Sequence, residues 1–245
     1  LDELDGILCK NRQKRNAKKE VEAKETKVKE VSEVDKLKAE LNECIKNEHL
    51  PIIKNYTVDF LGLNYYSRVW VKPYSGGETQ LVVNNSGKDF KGESKIVIKG
   101  WFEQIMNNPD AIYTEWDVEI YPQGLQKGLK QVWEKYHLPI FITENGVGVR
   151  EDITVDQVED DYRISFMNDH ISAIMNAVDA GVDVRGYYAW STFDLYSWKN
   201  GVEKRYGLVG IDFDDKELKR KPKKSYYWYK SIAESNGEKI QRKDW

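Results

Sequence analysis

The chain has 245 residues, of which 40% are hydrophobic, and it contains 8 Trp, 15 Tyr and 7 Phe. This length and this apolar content are sufficient for one large domain with a sizeable core. The formal net charge of −3 excludes an argument from bulk charge for binding nucleic acid or a membrane surface. No apolar run has the length expected of a transmembrane span or a signal-peptide core.

Cysteines and histidines are few and scattered. Cys9 and Cys44 form neither a disulfide framework nor a metal-ligand spacing, so we interpret them as reduced thiols of a cytoplasmic protein. The histidines lie far apart and accompany no cysteine, so we expect neither a metal nor a cofactor.

Residues 1–50 are interpreted as a charged, helical, low-complexity segment. Residues 10–48 lack Gly, Pro and aromatic side chains, and charges of opposite sign recur at helical spacings, as in Glu20–Lys24. This pattern predicts a long, solvated helix, although a narrow apolar stripe leaves a partner-binding coiled coil as the alternative. We expect Pro51 to end this helix, so that Asn47–Glu48 lies at its C-terminus.

Residues 51–245 read as a separate region that begins with strands and continues with amphipathic segments. Val58–Tyr66 is typical of a buried strand, and Ser67–Lys99 contains short alternating runs that indicate β-ribbons. In Gln123–Tyr136 and Asp160–Ala180, apolar residues recur every three or four positions, which predicts two helices.

Three further apolar runs predict strands at Leu138–Thr143, Asp183–Trp190 and Gly207–Phe213, and an aromatic helix follows at Pro222–Glu234. The order strand, excursion, helix, strand, helix, strand is typical of parallel strands joined by crossover helices. Polar side chains follow the ends of these strands, which is where a β/α barrel builds an active site.

The loop between the last two strands carries hydroxyl groups, cations and an indole. Such a set can hold an anionic, ring-shaped ligand. Its members are Asp194, Ser197, Trp198, Lys204, Arg205 and Tyr206.

Three motifs, FLGLNYYS, PIFITENGVG and YYAWSTFDLYSWKNGVEKRYGLVGIDF, resemble the C-terminal half of the family 1 glycoside hydrolases, and the ITENG motif is highly specific. The resemblance covers Val58–Ala233 and is strongest with the 6-phospho-β-galactosidase branch. It implies an α/β fold, namely the C-terminal part of a (β/α)8 TIM barrel with a β-ribbon excursion and a long charged N-terminal helix. It also implies a retaining β-glycosidase that hydrolyses 6-phospho-β-galactosides or 6-phospho-β-glucosides.

The resemblance implies roles for four residues around the reacting sugar carbon. Glu144 matches the nucleophile that forms a glycosyl-enzyme, and Tyr66 matches the tyrosine whose hydroxyl orients that carboxylate. Asn64 would contribute to the polar surroundings of the sugar. Trp190 matches the indole platform on which the pyranose ring stacks. Strand alternation predicts that Tyr65 and Tyr66 lie on opposite faces.

The resemblance also implies a phosphate site formed by Ser197, Lys204 and Tyr206. Relatives that act on neutral sugars have an acidic residue in place of Ser197, and a carboxylate there would repel a phosphate. The ammonium of Lys204 and the hydroxyls would donate charge-assisted hydrogen bonds. Trp198 resembles the galactosidase branch, where its N–H favours an axial 4-hydroxyl.

The acid/base glutamate of the family, in a T-x-N-E-P motif, has no counterpart in this sequence. We therefore expect the acid to come from outside these residues, with a missing N-terminal half-barrel as a partner and a phosphorylated disaccharide or aryl β-glycoside as substrate. Two alternatives stay open. The chain is a truncated or split-gene product that at most binds phosphosugar, or it acts on neutral β-glucosides or β-galactosides.

Overall fold

The computed structural model describes residues 35–36, 38–40, 48–84, 94–106, 108–197 and 199–245. The chain divides into two units, Leu1–Val58 and Asp59–Trp245. Most of the predicted helix of residues 10–48, together with Cys9 and Cys44, lies outside the described residues.

The first unit contains helix α1, which runs from His49 to Asn55. Pro51 lies within the first turn of α1, where its missing N–H has no intrahelical partner to lose. The prediction that Pro51 ends a helix is therefore wrong. Glu48 occupies the N-terminal cap position of α1. The helix C-terminus predicted at Asn47–Glu48 depends on residues 41–47, which lie outside the described residues.

The second unit alternates strands and helices. Its elements in chain order are β1 (Leu61–Asn64), β2 (Trp70–Pro73), β3 (Gln80–Val82), β4 (Lys95–Ile98), β5 (Phe102–Ile105), β6 (Ile112–Tyr113), β7 (Glu119–Ile120), α2 (Pro122–Tyr136), β8 (Ile140–Asn145), α3 (Asp161–Asp179), β9 (Val184–Ala189), β10 (Val209–Ile211), β11 (Arg220–Pro222) and α4 (Lys224–Glu234).

A three-stranded parallel sheet in the order β1–β8–β9 forms the centre of the second unit. Helix α3 connects β8 to β9, which is the crossover that a parallel pair requires. One face of the sheet packs against α2 and α3 around Leu125, Leu129, Ile140, Ile142 and Ile174. The predicted helices Gln123–Tyr136 and Asp160–Ala180 and the predicted parallel strands Val58–Tyr66, Leu138–Thr143 and Asp183–Trp190 are therefore confirmed to within a few residues.

The opposite face of this sheet is open. Phe60 and Tyr188 are 53% and 58% exposed, and Gly62, Asn64 and Thr143 are exposed between them. In a (β/α)8 barrel such inward-pointing positions fill the interior. Within the described ranges the strands form no closed barrel, so the fold has the α/β arrangement of part of a barrel.

The excursion after β1 forms the predicted β-ribbons, as a four-stranded antiparallel sheet in the order β2–β5–β4–β3 and a short hairpin of β6 and β7.

The predicted strand Gly207–Phe213 is shorter than expected. Its central part, β10, pairs antiparallel with β11 and is not part of the main sheet. The carboxylate of Asp194 accepts hydrogen bonds from the backbone N–H groups of Gly207 and Ile211, so these groups are not available to a neighbouring strand.

None of the helices within the described ranges combines the length and apolar content that a membrane span requires.

Candidate active site

Glu144 and Tyr66 meet where two parallel strands end. Glu144 is the penultimate residue of strand β8, and Tyr66 follows the end of the neighbouring strand β1. The Tyr66 hydroxyl donates a hydrogen bond of 2.6 Å to Oε2 of Glu144. Burial and this hydrogen bond raise the pKa of Tyr66, so the phenol remains a donor across the ordinary pH range. Tyr65 instead packs against the helices, with its hydroxyl on the carbonyl of Tyr121, as alternation predicts.

The two residues after Glu144 explain why this strand end has the sequence Glu-Asn-Gly. Asn145 is fully buried, and its side chain donates to the carbonyl of Tyr65 and accepts from the hydroxyl of Tyr187. It therefore ties β8 to both neighbouring strands. A Cβ at Gly146 would overlap the carbonyl oxygen of Trp190, so only glycine fits there.

A cavity of about 170 Å³ adjoins this strand end. Tyr66 lines it together with the cation Lys204 and the phenol of Tyr206, so the cavity contacts both the partner of Glu144 and two predicted phosphate ligands. Its remaining lining is formed by Thr114, Val118, Ile120, Gly146, Val147, Gly148 and Phe166.

The Lys204 ammonium is buried without an anionic partner among the described residues. The side chain is 8% exposed, and Nζ lies 5.0 Å from the centroid of the Trp116 ring and 5.4 Å from that of Tyr206. Burial lowers the pKa of Lys204 to about 8, and the charge of Glu115 acts in the opposite direction. Aromatic faces attract a cation without neutralising it, so this charge is available to an anionic ligand. Burial also raises the pKa of Tyr206 to about 12, which keeps that hydroxyl a donor.

Gly148 determines how closely these two groups approach the strand end. A Cβ at Gly148 would lie 2.7 Å from Cζ of Tyr206 and 2.8 Å from Cγ of Lys204. Real Cβ atoms do not approach neighbours this closely, so glycine allows the stem of Lys204 and the ring of Tyr206 to pack against the backbone.

Arg163 of α3 joins the segment after Glu144 to the segment that carries Tyr206. Its Nη1 donates to the carbonyl of Val147 at 2.6 Å and to that of Tyr206 at 3.0 Å. The guanidinium is 2% exposed and forms ion pairs with Asp160 and Glu151. A buried charge requires such partners, and the two carboxylates fix the fork that holds both carbonyls.

Asp194 and Arg205, which the sequence placed in an anion-binding loop, bind each other. Nη1 of Arg205 lies 2.7 Å from Oδ2 of Asp194, whose Oδ1 also accepts from Lys223 Nζ at 3.0 Å. Lys223 is fully buried and also pairs with Glu151. These buried ion pairs therefore stabilise the conformation of the loop that contains Asp194 and Arg205.

The other predicted site residues are not all brought together. Asn64 is exposed and accepts a hydrogen bond of 2.6 Å from the hydroxyl of Thr143. The backbone N–H of Trp190 donates to the carbonyl of Asn145 at 2.8 Å, and the peptide bond after Trp190 is cis. Trp198 lies outside the described residues.

Ser197 closes its own tight turn. Its Oγ accepts the backbone N–H groups of Lys199 and Asn200, and its backbone pairs with Gly201. Within the described part of the chain, no hydrogen bond joins Ser197 to Lys204 or Tyr206, and Ser197 is not among the residues that line their cavity. The structure therefore brings Glu144, Tyr66, Lys204 and Tyr206 around one region and leaves Ser197 apart.

Four residues with clear structural roles in the site were not singled out from the sequence as site residues: Trp116, Gly148, Arg150 and Arg163. Trp116 lies between β6 and β7, and Arg163 lies within α3, so local sequence patterns did not indicate that these residues contact distant parts of the chain. Gly148 could have been found as the second glycine of ENGVG. Within the described residues no cluster of three His, Cys, Asp or Glu side chains could hold a metal ion.

Comparisons with known proteins agree with this arrangement of strands and polar groups. Residues 16–238 match the sequence model described as "Glycosyl hydrolase family 1". Over 179 residues the chain is 44% identical to a 6-phospho-beta-galactosidase of Leptotrichia buccalis, an alignment that covers 72% of this chain and 37% of the relative. A 6-phospho-beta-galactosidase of Streptococcus mutans is 44% identical over 181 residues, with the same two shares.

Solved structures show the same relationship. The family 1 β-glucosidase from Thermotoga maritima superposes with a TM-score of 0.60 at 32% identity, covering 74% of this chain and 36% of that one. The chain belongs to glycosyl hydrolase family 1. Within it, the chain is similar to the 6-phospho-β-galactosidases, and it spans just over a third of the length of the curated relatives it matches.

Proposed function

We propose that this chain is the C-terminal part of a retaining β-glycosidase that hydrolyses 6-phospho-β-galactosides. Glu144 attacks the anomeric carbon and forms a glycosyl-enzyme, while a general acid from outside these residues protonates the departing oxygen. Water then releases the sugar with retained configuration. Tyr66 orients the Glu144 carboxylate, and the region from residue 51 onward forms the C-terminal part of the barrel.

The remaining predicted residues bind the sugar in this proposal. Lys204, Tyr206 and Ser197 hold the phosphate, Trp190 provides the stacking surface, and Asn64 and Trp198 contact sugar hydroxyls. Lys204 and Tyr206 line a common cavity with Tyr66, and Ser197 would have to release the two backbone N–H groups that its Oγ accepts to join them. The observation that carries the proposal is this cavity, which borders both the partner of Glu144 and a buried cation without an anionic partner among the described residues.

A mechanism-based probe tests the assignment of the nucleophile. A 2-deoxy-2-fluoro-β-galactoside 6-phosphate is expected to label Glu144 when the N-terminal portion of a 6-phospho-β-galactosidase is supplied with the chain. The matched control is Glu144→Gln, which has nearly the same shape and no nucleophilic carboxylate. Labelling of any other residue, located by peptide mass spectrometry, overturns the assignment.

Two comparisons separate this proposal from its alternatives. A truncated product that at most binds phosphosugar is favoured if the fluoro sugar labels nothing while galactose 6-phosphate still binds. A neutral-sugar β-glycosidase is favoured if nitrophenyl β-galactoside is cleaved as fast as its 6-phosphate and Lys204→Ala changes neither rate. In the proposed enzyme, Lys204→Ala slows cleavage of the phosphorylated substrate alone.

A further inference from the structure

Lys204 carries its charge close to two acidic residues. Glu203 precedes it in sequence, and Glu115 precedes Trp116, whose ring lies 5.0 Å from the ammonium. An acidic side chain that paired with Lys204 would satisfy its buried charge and would also compete with a phosphate. Among the described residues no such ion pair forms, and the rings of Trp116 and Tyr206 face the cation instead.

Arg150 binds both acidic side chains. Its Nη1 lies 2.9 Å from Oε2 of Glu115, and its backbone N–H donates to Oε1 of the same carboxylate at 2.7 Å. Its Nη2 lies 2.9 Å from Oε2 of Glu203. Both oxygens of Glu115 are therefore engaged by one residue, and the same guanidinium holds Glu203.

The backbone explains how Arg150 reaches this position. Val149 and Arg205 pair antiparallel, with N–H to carbonyl distances of 3.2 and 2.9 Å in the two directions. This pairing places Arg150 beside the segment that contains Glu203 and Lys204. The guanidinium also lies 4.8 Å from the centroid of the Trp116 ring, so Arg150 and Lys204 contact the same indole.

We propose that Arg150 is a specificity-determining positioning residue, which holds Glu115 and Glu203 away from Lys204 and so keeps that ammonium available for the substrate phosphate. The inference rests on the proposed function and extends it by explaining how a buried lysine beside two acids forms no ion pair with any of the described residues. A lysine in place of Arg150 could not do the same, because a single ammonium lacks the planar fork that reaches two carboxylates at once.

The first test measures the titration of Lys204 in the purified 245-residue chain by NMR of labelled lysine, with the signal assigned from its loss in Lys204→Met. In the unaltered chain we expect a midpoint near 8. Arg150→Met frees Glu115 to approach the ammonium, so the midpoint rises by about one unit or more. Adding Glu115→Gln to Arg150→Met removes the freed charge and returns the midpoint toward that of the unaltered chain.

Arg185→Met serves as the matched control, because Arg185 is an exposed arginine of β9 that pairs with Asp183. This variant is expected to leave the midpoint unchanged. A general structural role of Arg150 would not be reversed by Glu115→Gln. The inference is overturned if Arg150→Met leaves the Lys204 midpoint where it was, or if the second substitution does not reverse the change.

The second test measures affinity for galactose 6-phosphate and for galactose by calorimetry. Arg150→Met is expected to weaken binding of the phosphate sugar about tenfold and to leave galactose binding within about twofold, with recovery in the double variant. If neither the unaltered chain nor Lys204→Met distinguishes the two sugars, the proposed function fails. If Lys204→Met loses the preference for galactose 6-phosphate over galactose while Arg150→Met retains it, the proposed function stands and the inference about Arg150 fails.

Discussion

The phenol of Tyr66 donates a 2.6 Å hydrogen bond to one carboxylate oxygen of Glu144, across two neighbouring strands that are far apart in sequence. This contact fixes the orientation of the Glu144 carboxylate. In the proposed reaction one oxygen of this carboxylate attacks the sugar, so the hydrogen bond affects both the geometry and the charge of the nucleophile.

Removing this hydrogen bond is expected to slow the formation of the glycosyl-enzyme. Tyr66→Phe removes one charge-assisted hydrogen bond, which corresponds to a rate about 10- to 100-fold lower. The rate of labelling by the fluoro sugar phosphate, with the N-terminal portion supplied, measures the change. Tyr65→Phe is the matched control, because its hydroxyl binds the carbonyl of Tyr121 on the other face. Equal labelling by Tyr66→Phe and the unaltered chain would contradict the assigned role.

Binding of a phosphosugar is expected to depend on pH through Lys204. A phosphate monoester becomes a dianion above its second pKa of about 6, and Lys204 is charged below its pKa of about 8. Affinity for galactose 6-phosphate is therefore highest between these values and falls as the pH rises through 8. In Lys204→Arg the decline on the alkaline side disappears, because the guanidinium stays charged. Calorimetry across the pH range checks this profile, and an alkaline decline that persists in Lys204→Arg would count against it.

Lys204 is also expected to lower the stability of the chain at neutral pH. Because its pKa is lowered from 10.5 when unfolded to about 8 when folded, the unfolded state binds more protons between these values. Stability from this group is complete above 10.5 and is lost as the pH falls through 8. Lys204→Met should therefore raise the free energy of unfolding at pH 7 by about 3 kcal/mol. Urea denaturation measures it, and the gain should shrink as the pH approaches 10.5.

A methyl group at Gly148 is expected to disturb the Lys204–Tyr206 pair. In Gly148→Ala the new Cβ meets the Tyr206 ring and the Lys204 stem at under 3 Å, so both side chains must shift. We expect affinity for galactose 6-phosphate to fall about tenfold. Gly128→Ala is the matched control, because that glycine lies within α2 with nothing within 4 Å of its added Cβ. It should stabilise the helix by about 0.5–1 kcal/mol and leave binding unchanged. Similar binding by the two variants would exclude the packing argument.

Arg163 is expected to be essential for stability. In Arg163→Met the buried carboxylates of Asp160 and Glu151 lose the guanidinium that they share. The carbonyls of Val147 and Tyr206 also lose their hydrogen-bond donor. Breaking a buried ion pair from one side costs about 3–5 kcal/mol. Arg185→Met breaks an exposed pair and should cost about 1 kcal/mol or less. Urea unfolding of the two variants gives the comparison, and equal losses would refute the structural role of Arg163.

Much of the central sheet could be predicted because the signals are local. The apolar run before Glu144 predicts β8, and the three-and-four spacing of apolar residues predicts α2 and α3. The hydrogen bond between Tyr66 and Glu144 was expected from the family resemblance of the motifs that contain the two residues.

The surroundings of Lys204 could not be predicted in this way. Trp116 and Arg150 reach it through folding of distant segments, and nothing in their neighbouring residues indicates that contact. For Ser197 the prediction was limited by a local interaction. The family motif assigns its hydroxyl to a ligand, but in the structure this hydroxyl accepts backbone N–H groups of its own turn. The short β10 was misjudged because Asp194, outside the apolar run, takes up its flanking N–H groups.

The single guanidinium nitrogen shared by Val147 and Tyr206 has an evolutionary consequence. A substitution that moves one of these carbonyls changes the hydrogen bond available to the other. Sequence changes in the loop that contains Val147 and in the loop that contains Tyr206 are therefore not independent. Across relatives, lineages that alter the length or composition of one loop are expected to carry compensating changes in the other.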